Sequence, residues 1–172
     1  MCWRILFRRS ISAAGQTIDF DGDTDMKIIE IRENKKQFLD LLLLADEQES
    51  MVDLYLERGT MFVLEDDGII AECVVTDEGN GILELKNLAV SPESQGKGYG
   101  KRMIAFLREH FAGTYHCLQV GTGDSPLTIP FYETCGFRRH HVIPHFFTDN
   151  YDHLIFEGGV QLVDMIVLRM EL

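Results

Sequence analysis

The stretch from Gln95 to Met103, QGKGYGKRM, limits the possible folds of this chain more than any other segment. Its three glycines stand directly before a run whose apolar spacing predicts a helix, although glycine within a helix costs about 1 kcal/mol relative to alanine. The preceding residues, ILELKNLAV, predict a strand. A strand, a glycine loop and a helix in this order place unpaired helical amides beside space that no Cβ atom fills. With the helix dipole, these amides predict a binding site for a phosphate group.

The glycine spacing excludes two common phosphate-binding motifs. No Lys-Ser or Lys-Thr pair follows the glycines, so the segment is not a P-loop. Their positions, 96, 98 and 100, also differ from the G-x-G-x-x-G pattern of dinucleotide-binding folds. Taken alone, the loop leaves open a glycine-rich turn that binds no ligand.

The rest of the chain predicts one mixed α/β domain from Met26 onward, with residues 1–25 as an extension, an edge strand or an arm onto a partner. Asn34 and Gln37 have capping-box spacing before a first helix, and a second helix ends near Gly59. Asp67-Gly68 predicts a hairpin between two strands. Further elements are expected in this order: strand 82–90, a helix ending at Gly113, strand HCLQV, a helix capped by Ser125-Pro126 and ending at Gly136, an irregular stretch from Phe137, and a last strand VQLVDMIVLRM.

The amino-acid composition limits which partners the chain is expected to bind. The net charge is -12, with 28 acidic and 16 basic residues, which argues against a nucleic-acid partner and suits a cationic small substrate. No apolar run reaches the roughly 18 residues that span a membrane. The four cysteines, Cys2, Cys73, Cys117 and Cys135, include no CxxC pair, so reduced thiols and a cytoplasmic location are expected.

Two segments together resemble motifs of the GNAT superfamily of acetyl-CoA-dependent N-acetyltransferases. Gln95, Gly98 and Gly100 form Q-x-x-G-x-G after LAVSPES, which is similar to motif A, and PFYETCGF at 130–137 is similar to motif B. The resemblance covers residues 26–172. It implies an α/β (α+β) fold with a central, mostly antiparallel mixed sheet of about seven strands, splayed between strands 4 and 5 and flanked by helices.

The resemblance also implies how acetyl-CoA is bound. Backbone amides of the glycine loop would hold the CoA pyrophosphate, and the main chain of the preceding strand would lie beside the thioester. At one motif B position the family often has Asn where this chain has Ser125. The implied cofactor-binding residues are Leu88, Ala89, Val90, Gln95, Gly96, Lys97, Gly98, Tyr99, Gly100, Lys101 and Ser125.

The resemblance implies acetyl transfer to an amine, with Tyr132 as the acid that protonates the leaving thiolate. In the histone-acetylating branch of the family a catalytic glutamate stands eleven residues before the motif A glutamine, so the resemblance makes Glu84, eleven residues before Gln95, the predicted base. Strand alternation would place Glu84, Lys86, Leu88 and Val90 on one face. The alternatives are a glutamate that simply pairs with Lys86, or an ordered water as the base.

The segment 138–159 is rich in His, aromatic and acidic residues and is expected to be a loop beside the acceptor pocket. Its candidates for binding a cationic amine are Asp149, Tyr151, Asp152, His153 and Glu157. No metal is predicted, because neither CxxC nor HExxH accompanies the histidines. The expected partners are a small amine acceptor and possibly a second copy of the chain, without nucleic acid or membrane. A protein acceptor and a non-catalytic acetyl-CoA sensor remain alternatives.

Overall fold

The structure, a computed structural model, describes residues 17–19 and 26–172. Ten strands are present in these ranges: β1 (Thr17–Asp19), β2 (Lys27–Ile31), β3 (Thr60–Glu65), β4 (Ile69–Asp77), β5 (Ile82–Val90), β6 (Cys117–Gly123), β7 (Arg138–Ile143), β8 (Phe156–Glu157), β9 (Val160–Gln161) and β10 (Met165–Glu171). The helices there are α1 (Leu39–Leu42), α2 (Glu49–Asp53), α3 (Tyr99–Phe111), α4 (Thr128–Thr134) and α5 (Phe146–Asn150).

Eight of these strands form one sheet in the order β1-β2-β3-β4-β5-β6-β10-β7. Every neighbouring pair in it is antiparallel except β5 and β6, which run parallel. Strands β8 and β9 pair separately. The seven strands that residues 26–172 contribute to the main sheet, and its single parallel pair, confirm the predicted fold. Strand β1 adds an edge strand from within residues 1–25.

The parallel pair separates along its length. Pairing between β5 and β6 runs from Ile82↔Cys117 to Leu85↔Val120 and then stops. Strand β5 nevertheless continues to Val90 and β6 to Gly123. On the side away from β4, residues 86–90 therefore face a gap in the sheet. Counted from Met26, β5 and β6 are the fourth and fifth strands, so this gap confirms the predicted splay between strands 4 and 5.

Apolar side chains cover both faces of the sheet. Alternation along β3 sends Phe62 and Leu64 towards α3 and sends Met61 and Val63 towards α1 and α2. Met103, Phe106 and Leu107 of α3 are buried on the first face. Each fully buried side chain of this size contributes roughly 1.5–3 kcal/mol. These two layers fix β4 and β5, and with them the position of the gap.

The predicted turns are confirmed by backbone geometry. Asp67 and Gly68 both have positive φ, 46° and 132°, in the tight connection between β3 and β4. The helix after the glycine loop ends before Gly113, whose φ is 78°. Helix α4 ends at Thr134, and Gly136, two residues later, likewise has positive φ, 105°.

The predicted helix starts are wrong at two places. Asn34 has left-handed backbone geometry and no side-chain capping bond; its carbonyl accepts from the Gln37 amide, opening a 3-10 turn before α1. At the second place, Ser125 Oγ accepts a hydrogen bond from the Leu127 amide at 3.0 Å, which stabilises a turn, and α4 begins only at Thr128. In both cases a local polar turn precedes the helix, and the spacing of residues alone does not distinguish such a turn from a helix cap.

The C-terminal third also differs from expectation. The stretch after Phe137 is not irregular throughout, because residues 138–143 form β7, which pairs with β10 at the edge of the sheet. The predicted last strand is divided: Val160–Gln161 belongs to the small β8–β9 hairpin, and the long strand begins at Met165. Within the described residues, no helix is long and apolar enough to cross a membrane.

Candidate active site

A β-bulge in β5 sets the orientation of the strand beside the gap. Val74 pairs with Asn87 and Val75 with Leu85, so Lys86 is the extra residue. Leu85 and Leu88 both pack towards α3, whereas the Asn87 side chain bonds to the α1–α2 side. The predicted single face for Glu84, Lys86, Leu88 and Val90 is therefore wrong, because a bulge interrupts strict alternation.

The cofactor loop, residues 95–101, presents backbone rather than side chains. Gly96 and Gly98 have φ of 74° and 91°, and a Cβ added to either would have no heavy atom within 4 Å. No side chain caps the start of α3 within the described residues. Gln95 Nε2 donates to the Val90 carbonyl at 3.1 Å and ties the loop to β5. Open space, free amides and the exposed Lys97 fit a pyrophosphate.

Gly100 serves a different purpose from the other two glycines. A Cβ there would lie 3.1 Å from Cζ of Phe131, so glycine lets α3 approach α4 closely. Tyr99 is half-buried against the apolar core between α3 and the sheet, and Lys101 is exposed. Ser125 is buried and its hydroxyl already bonds the Leu127 amide, which leaves its predicted contact with CoA without support from the geometry.

A cavity of about 490 Å³ lies at the gap between β5 and β6. Three of the predicted thioester-side residues and the loop glutamine line it: Leu88, Ala89, Val90 and Gln95. The opposite wall of the cavity is formed by the α1–α2 connection, the residues after α2, α4 and the segment after α5. The polar residues of this wall include Asp46, Glu47, Tyr55, Thr128, Tyr132, Tyr151 and Glu157.

Tyr132 of α4 lines this cavity. Its ring packs edge-on against Phe131 and Phe137, which fixes the direction of the side chain. Among the described residues, its hydroxyl has no hydrogen-bond partner. Burial, chiefly, raises the pKa of Tyr132 above its ordinary value, so the phenol keeps its proton at neutral pH. Tyr132 thus presents a protonated phenol, held by its aromatic neighbours, in the cavity wall, and its role as an acid stays a prediction.

Glu84 also lines the cavity, but both of its carboxyl oxygens are engaged. Oε1 accepts from Lys86 Nζ at 2.7 Å, and Oε2 accepts from Gln119 Nε2 at 2.6 Å. The ion pair with Lys86 is the alternative that the sequence left open for Glu84. The role of Glu84 as a base remains a prediction.

The residue that sequence reasoning missed is Asp46. It is 9% exposed, and its two oxygens accept hydrogen bonds from Tyr151 at 3.0 Å and from Tyr55 at 3.4 Å. Burial raises the pKa of the Asp46 carboxyl despite these bonds. Nothing local in the sequence distinguishes Asp46 from the neighbouring acids, because its tyrosine partner at 151 is 105 residues away.

Two of the five predicted acceptor-binding residues reach the cavity, Tyr151 and Glu157. Glu157 Oε2 accepts from the Thr128 hydroxyl at 3.0 Å. The other three do not line the cavity: Asp149 is exposed on α5, and Asp152 and His153 pair with each other on the surface. We call Asp46, Tyr151 and Glu157 the acceptor end. Among residues 26–172, neither carboxylate of the acceptor end forms an ion pair with a protein cation.

Metal ligands are not grouped in the described part of the chain. No set of three or more His, Cys, Asp or Glu side chains there has a geometry that holds a metal ion. His140 and His141, two histidines of the segment 138–159, contact each other on the exposed β7 strand, with their Nδ1 atoms 2.7 Å apart.

Comparisons with known proteins agree with this geometry. A family model described as "Acetyltransferase (GNAT) domain" matches residues 57–139. A Bacillus subtilis (strain 168) protein named "Uncharacterized N-acetyltransferase YvbK" is 35% identical over 144 residues, which are 81% of this chain and 92% of that protein.

Two solved structures extend the similarity to the fold. A GNAT family acetyltransferase from Elizabethkingia anophelis with acetyl-CoA bound has a TM-score of 0.82 and 31% identity, over 87% of this chain and all of the other. A Bacillus subtilis acetyltransferase in complex with CoA has a TM-score of 0.78 and 32% identity, over 86% of this chain and 99% of the other.

Proposed function

The chain belongs to the GNAT family of acetyltransferases, and on that premise we propose that it transfers the acetyl group of acetyl-CoA to the primary amine of a small cationic molecule. The choice of a cationic amine as the acceptor is based on the charges at the acceptor end of the cavity. Among the described residues, Asp46 and Glu157 form no ion pair with a protein cation, and the charge of Lys86 acts on Asp46 only from a distance. A buried carboxylate is stabilised strongly by a positive charge. An ammonium group of the substrate is the proposed partner.

The cofactor loop and β5 are proposed to hold the donor. The amides of residues 96–101 would receive the pyrophosphate, with the α3 dipole adding to the attraction. Beyond the bulge, β5 has no strand partner on the side of the gap. There the main chain from Leu88 to Val90, apart from the Val90 carbonyl that Gln95 bonds, would bond the pantetheine arm. Acetyl-CoA, when bound there, supplies an acetyl group activated as a thioester.

Tyr132 is proposed to donate the proton that the leaving sulfur needs. Its phenol stays protonated, and its ring is held by two neighbouring aromatic residues. A positioned acid of this kind typically contributes 10²–10⁴-fold to a rate. The role requires that the hydroxyl face the sulfur across the gap.

The acceptor amine must lose a proton before it attacks. An amine with a pKa of about 10.4 costs roughly 4–5 kcal/mol to deprotonate at pH 7. Glu84 stays the predicted base from the sequence, although Lys86 and Gln119 occupy its oxygens in the free protein. Glu84→Gln tests that role: the prediction holds if kcat falls roughly 100-fold and the loss shrinks at high pH.

The proposal is tested by acetyl-CoA-dependent thiol release with a panel of amines. Polyamines, aminoglycosides, amino acids and short peptides are supplied in turn, with neutral isosteres of the best amine as matched controls. We expect saturable release with one class of small cation and little with its neutral isosteres. Acetyl-CoA binding without release by any amine would contradict the proposal and favour a sensor.

A peptide acceptor is the second candidate, because apolar side chains lie exposed at the cavity rim. Leu54 and Phe156 both line the cavity and are 68% and 57% exposed. An acceptor with an apolar side chain next to its amine would cover them. The peptides in the panel distinguish this candidate from a small cation.

A homodimer and a cytoplasmic location also stay predictions. Analytical sedimentation tests whether the chain forms a dimer, and cell fractionation tests where it is located.

A further inference from the structure

A third apolar cluster lies apart from the two that cover the faces of the main sheet. It is formed by α5, by residues next to the β8–β9 hairpin and by the start of β10. All of its members also line the cavity at the gap: Phe146, Phe147, Tyr151, Ile155, Leu162 and Met165. The cluster is therefore a lining of the cavity as well as a small core, and we call these six residues the apolar wall.

The apolar wall adjoins the acceptor end through Tyr151, which belongs to both. The Tyr151 ring stacks on Phe147, with ring centroids 5.6 Å apart and an angle of 26° between the planes. Its hydroxyl, at the far end of the ring, donates to Asp46 at 3.0 Å. One side chain thus connects an apolar surface to a buried carboxylate. A ligand whose ammonium group reaches Asp46 would place its neighbouring atoms beside this surface.

The apolar surface continues at the rim of the cavity. Leu44, Leu54 and Phe156 line the cavity and are exposed. Leu44 and Leu54 follow α1 and α2, and Phe156 begins β8. The rim is thus built by the same two parts of the chain that supply the acceptor end. Exposed apolar side chains grouped beside a cavity are typical of a surface that a ligand covers.

The charges that line the cavity disfavour a carboxylate on the ligand. Four acidic residues line it: Asp46, Glu47, Glu84 and Glu157. In the described part of the chain, the cations that line it are Lys86 and Arg58. Lys86 Nζ lies 2.7 Å from Glu84 Oε1. Arg58 lies 2.6 Å from Glu78 Oε1. Each of these cations already has an acidic partner, so a ligand carboxylate would meet mainly repulsion.

We propose that the acceptor is an apolar monoamine, in which one primary ammonium group is attached to an alkyl or arylalkyl group and no carboxylate is present. The inference rests on the proposed function and names the substrate class of that same site. The ammonium group binds at Asp46, and the apolar group lies between the apolar wall and Phe156. Each methylene buried in this way improves binding roughly fourfold.

The reaction of such an amine balances without a further reactant. The ammonium nitrogen loses two protons and forms a bond to the acetyl carbon. The C–S bond of the thioester breaks, and its electron pair leaves with the sulfur. One proton ends on that sulfur, which gives free CoA, and the other passes to solvent.

A polyamine is the rival acceptor among small cations. Its second ammonium group would lie among the side chains of the apolar wall. A charged group removed from water without a partner is strongly disfavoured. Pentylamine and cadaverine share one carbon chain and differ in a single terminal amine, so comparing them decides between the two classes.

The deciding experiment measures kcat/KM of the wild type for matched amines at saturating acetyl-CoA. We expect pentylamine to exceed cadaverine roughly 100-fold, because of the second charge. We expect phenethylamine to exceed phenylalanine by a similar factor, because the two differ in one carboxylate. From propylamine to butylamine to pentylamine, kcat/KM should rise roughly fourfold at each step. Equal or higher values for cadaverine or phenylalanine would overturn the proposal.

Phe156→Ala and Leu154→Ala form a matched pair of variants. The two side chains are similarly exposed, 57% and 61%, but Phe156 lines the cavity and Leu154 does not. We expect Phe156→Ala to lower kcat/KM roughly tenfold for phenethylamine and less than about twofold for methylamine. Leu154→Ala should change neither, and both variants should keep the thermal shift caused by acetyl-CoA. Equal kcat/KM for phenethylamine in the two variants would overturn the proposal.

Failure of the inference and failure of the proposed function give different results. Thiol release that is fastest with a polyamine, an aminoglycoside or an amino acid would overturn the inference and keep the proposed function. A peptide preferred over every monoamine would overturn both. Absent release with every amine, while acetyl-CoA still binds, would overturn the proposed function itself.

Discussion

The cofactor loop and the acceptor end of the cavity are built from the chain in opposite ways. The loop is one contiguous segment, residues 95–101, and it is proposed to bind through backbone amides between glycines of positive φ. The acceptor end joins Asp46 to Tyr151 across 105 residues and relies on side chains alone. A function supplied by backbone leaves a local signature in the sequence. A function assembled by tertiary structure leaves none, and variants at the two regions should therefore fail differently.

The largest effect is expected from Gly98→Val. Its φ of 91° strains any branched residue, and the new side chain would fill the space proposed for the pyrophosphate. Loss of two charge-assisted hydrogen bonds, at roughly 1.5–3 kcal/mol each, predicts a Kd for acetyl-CoA higher by about 1000-fold. Calorimetric titration measures this.

Gly113→Val is the matched control for Gly98→Val. Gly113 follows the other end of α3, with φ of 78° and no heavy atom within 4 Å of an added Cβ. The backbone strain is similar, so both variants should lose similar stability, but only Gly98→Val should lose affinity. Equal affinities in the two variants would show that the loop does not hold the cofactor.

Next in size is the effect of Tyr132→Phe. Removing the hydroxyl leaves the ring packing intact, so acetyl-CoA affinity and Tm should change little while kcat falls roughly 100-fold. Tyr115→Phe is the control, since Tyr115 packs on Phe111 and does not line the cavity. Steady-state kinetics at saturating acetyl-CoA measure both. A Tyr132→Phe enzyme as fast as the wild type would remove the acid from the mechanism.

A smaller effect, confined to the acceptor, is expected from Asp46→Asn. Loss of one charged contact should raise KM for the amine roughly tenfold and leave KM for acetyl-CoA unchanged. If both constants rise together, Asp46 supports the cavity as a whole and does not bind the acceptor.

The smallest effect is expected from Asp152→Asn, which sharpens the comparison of the two regions. Asp152 was a candidate from the sequence, but it lies outside the cavity and pairs with His153 on the surface. Because this pair lies in solvent outside the cavity, where water screens its charges, KM for the amine should change less than about twofold. A change as large as that of Asp46→Asn would restore the sequence-based candidate.

The fold was predictable where short-range chemistry determines it. Asp67-Gly68 and the glycine loop each specify a backbone conformation that few other residues adopt, and both turns are found where expected. The sequence did not predict features that depend on contacts between segments distant in the chain. The bulge at Lys86 depends on register with β4, and β7 is a strand because β10 pairs with it. Neither pairing partner is adjacent in sequence.

The candidate site divides in the same manner. Tyr132 lies in a recognisable motif, and the structure places it in the cavity. Asp46 stands in no motif, and only its burial and its hydrogen bonds single it out. Conversely, Asp149 and Asp152 had the right chemistry in the sequence, but the fold directs them away from the cavity.

The most direct test of the account is to identify the product. The enzyme is incubated with acetyl-CoA that carries an isotope-labelled acetyl group and with the best amine of the panel, and the product is analysed by mass spectrometry. The account predicts one labelled acetyl group on the amine nitrogen of a small cation, and loss of that product in Tyr132→Phe. Label found only in free acetate, or the same yield from a neutral isostere, would contradict it.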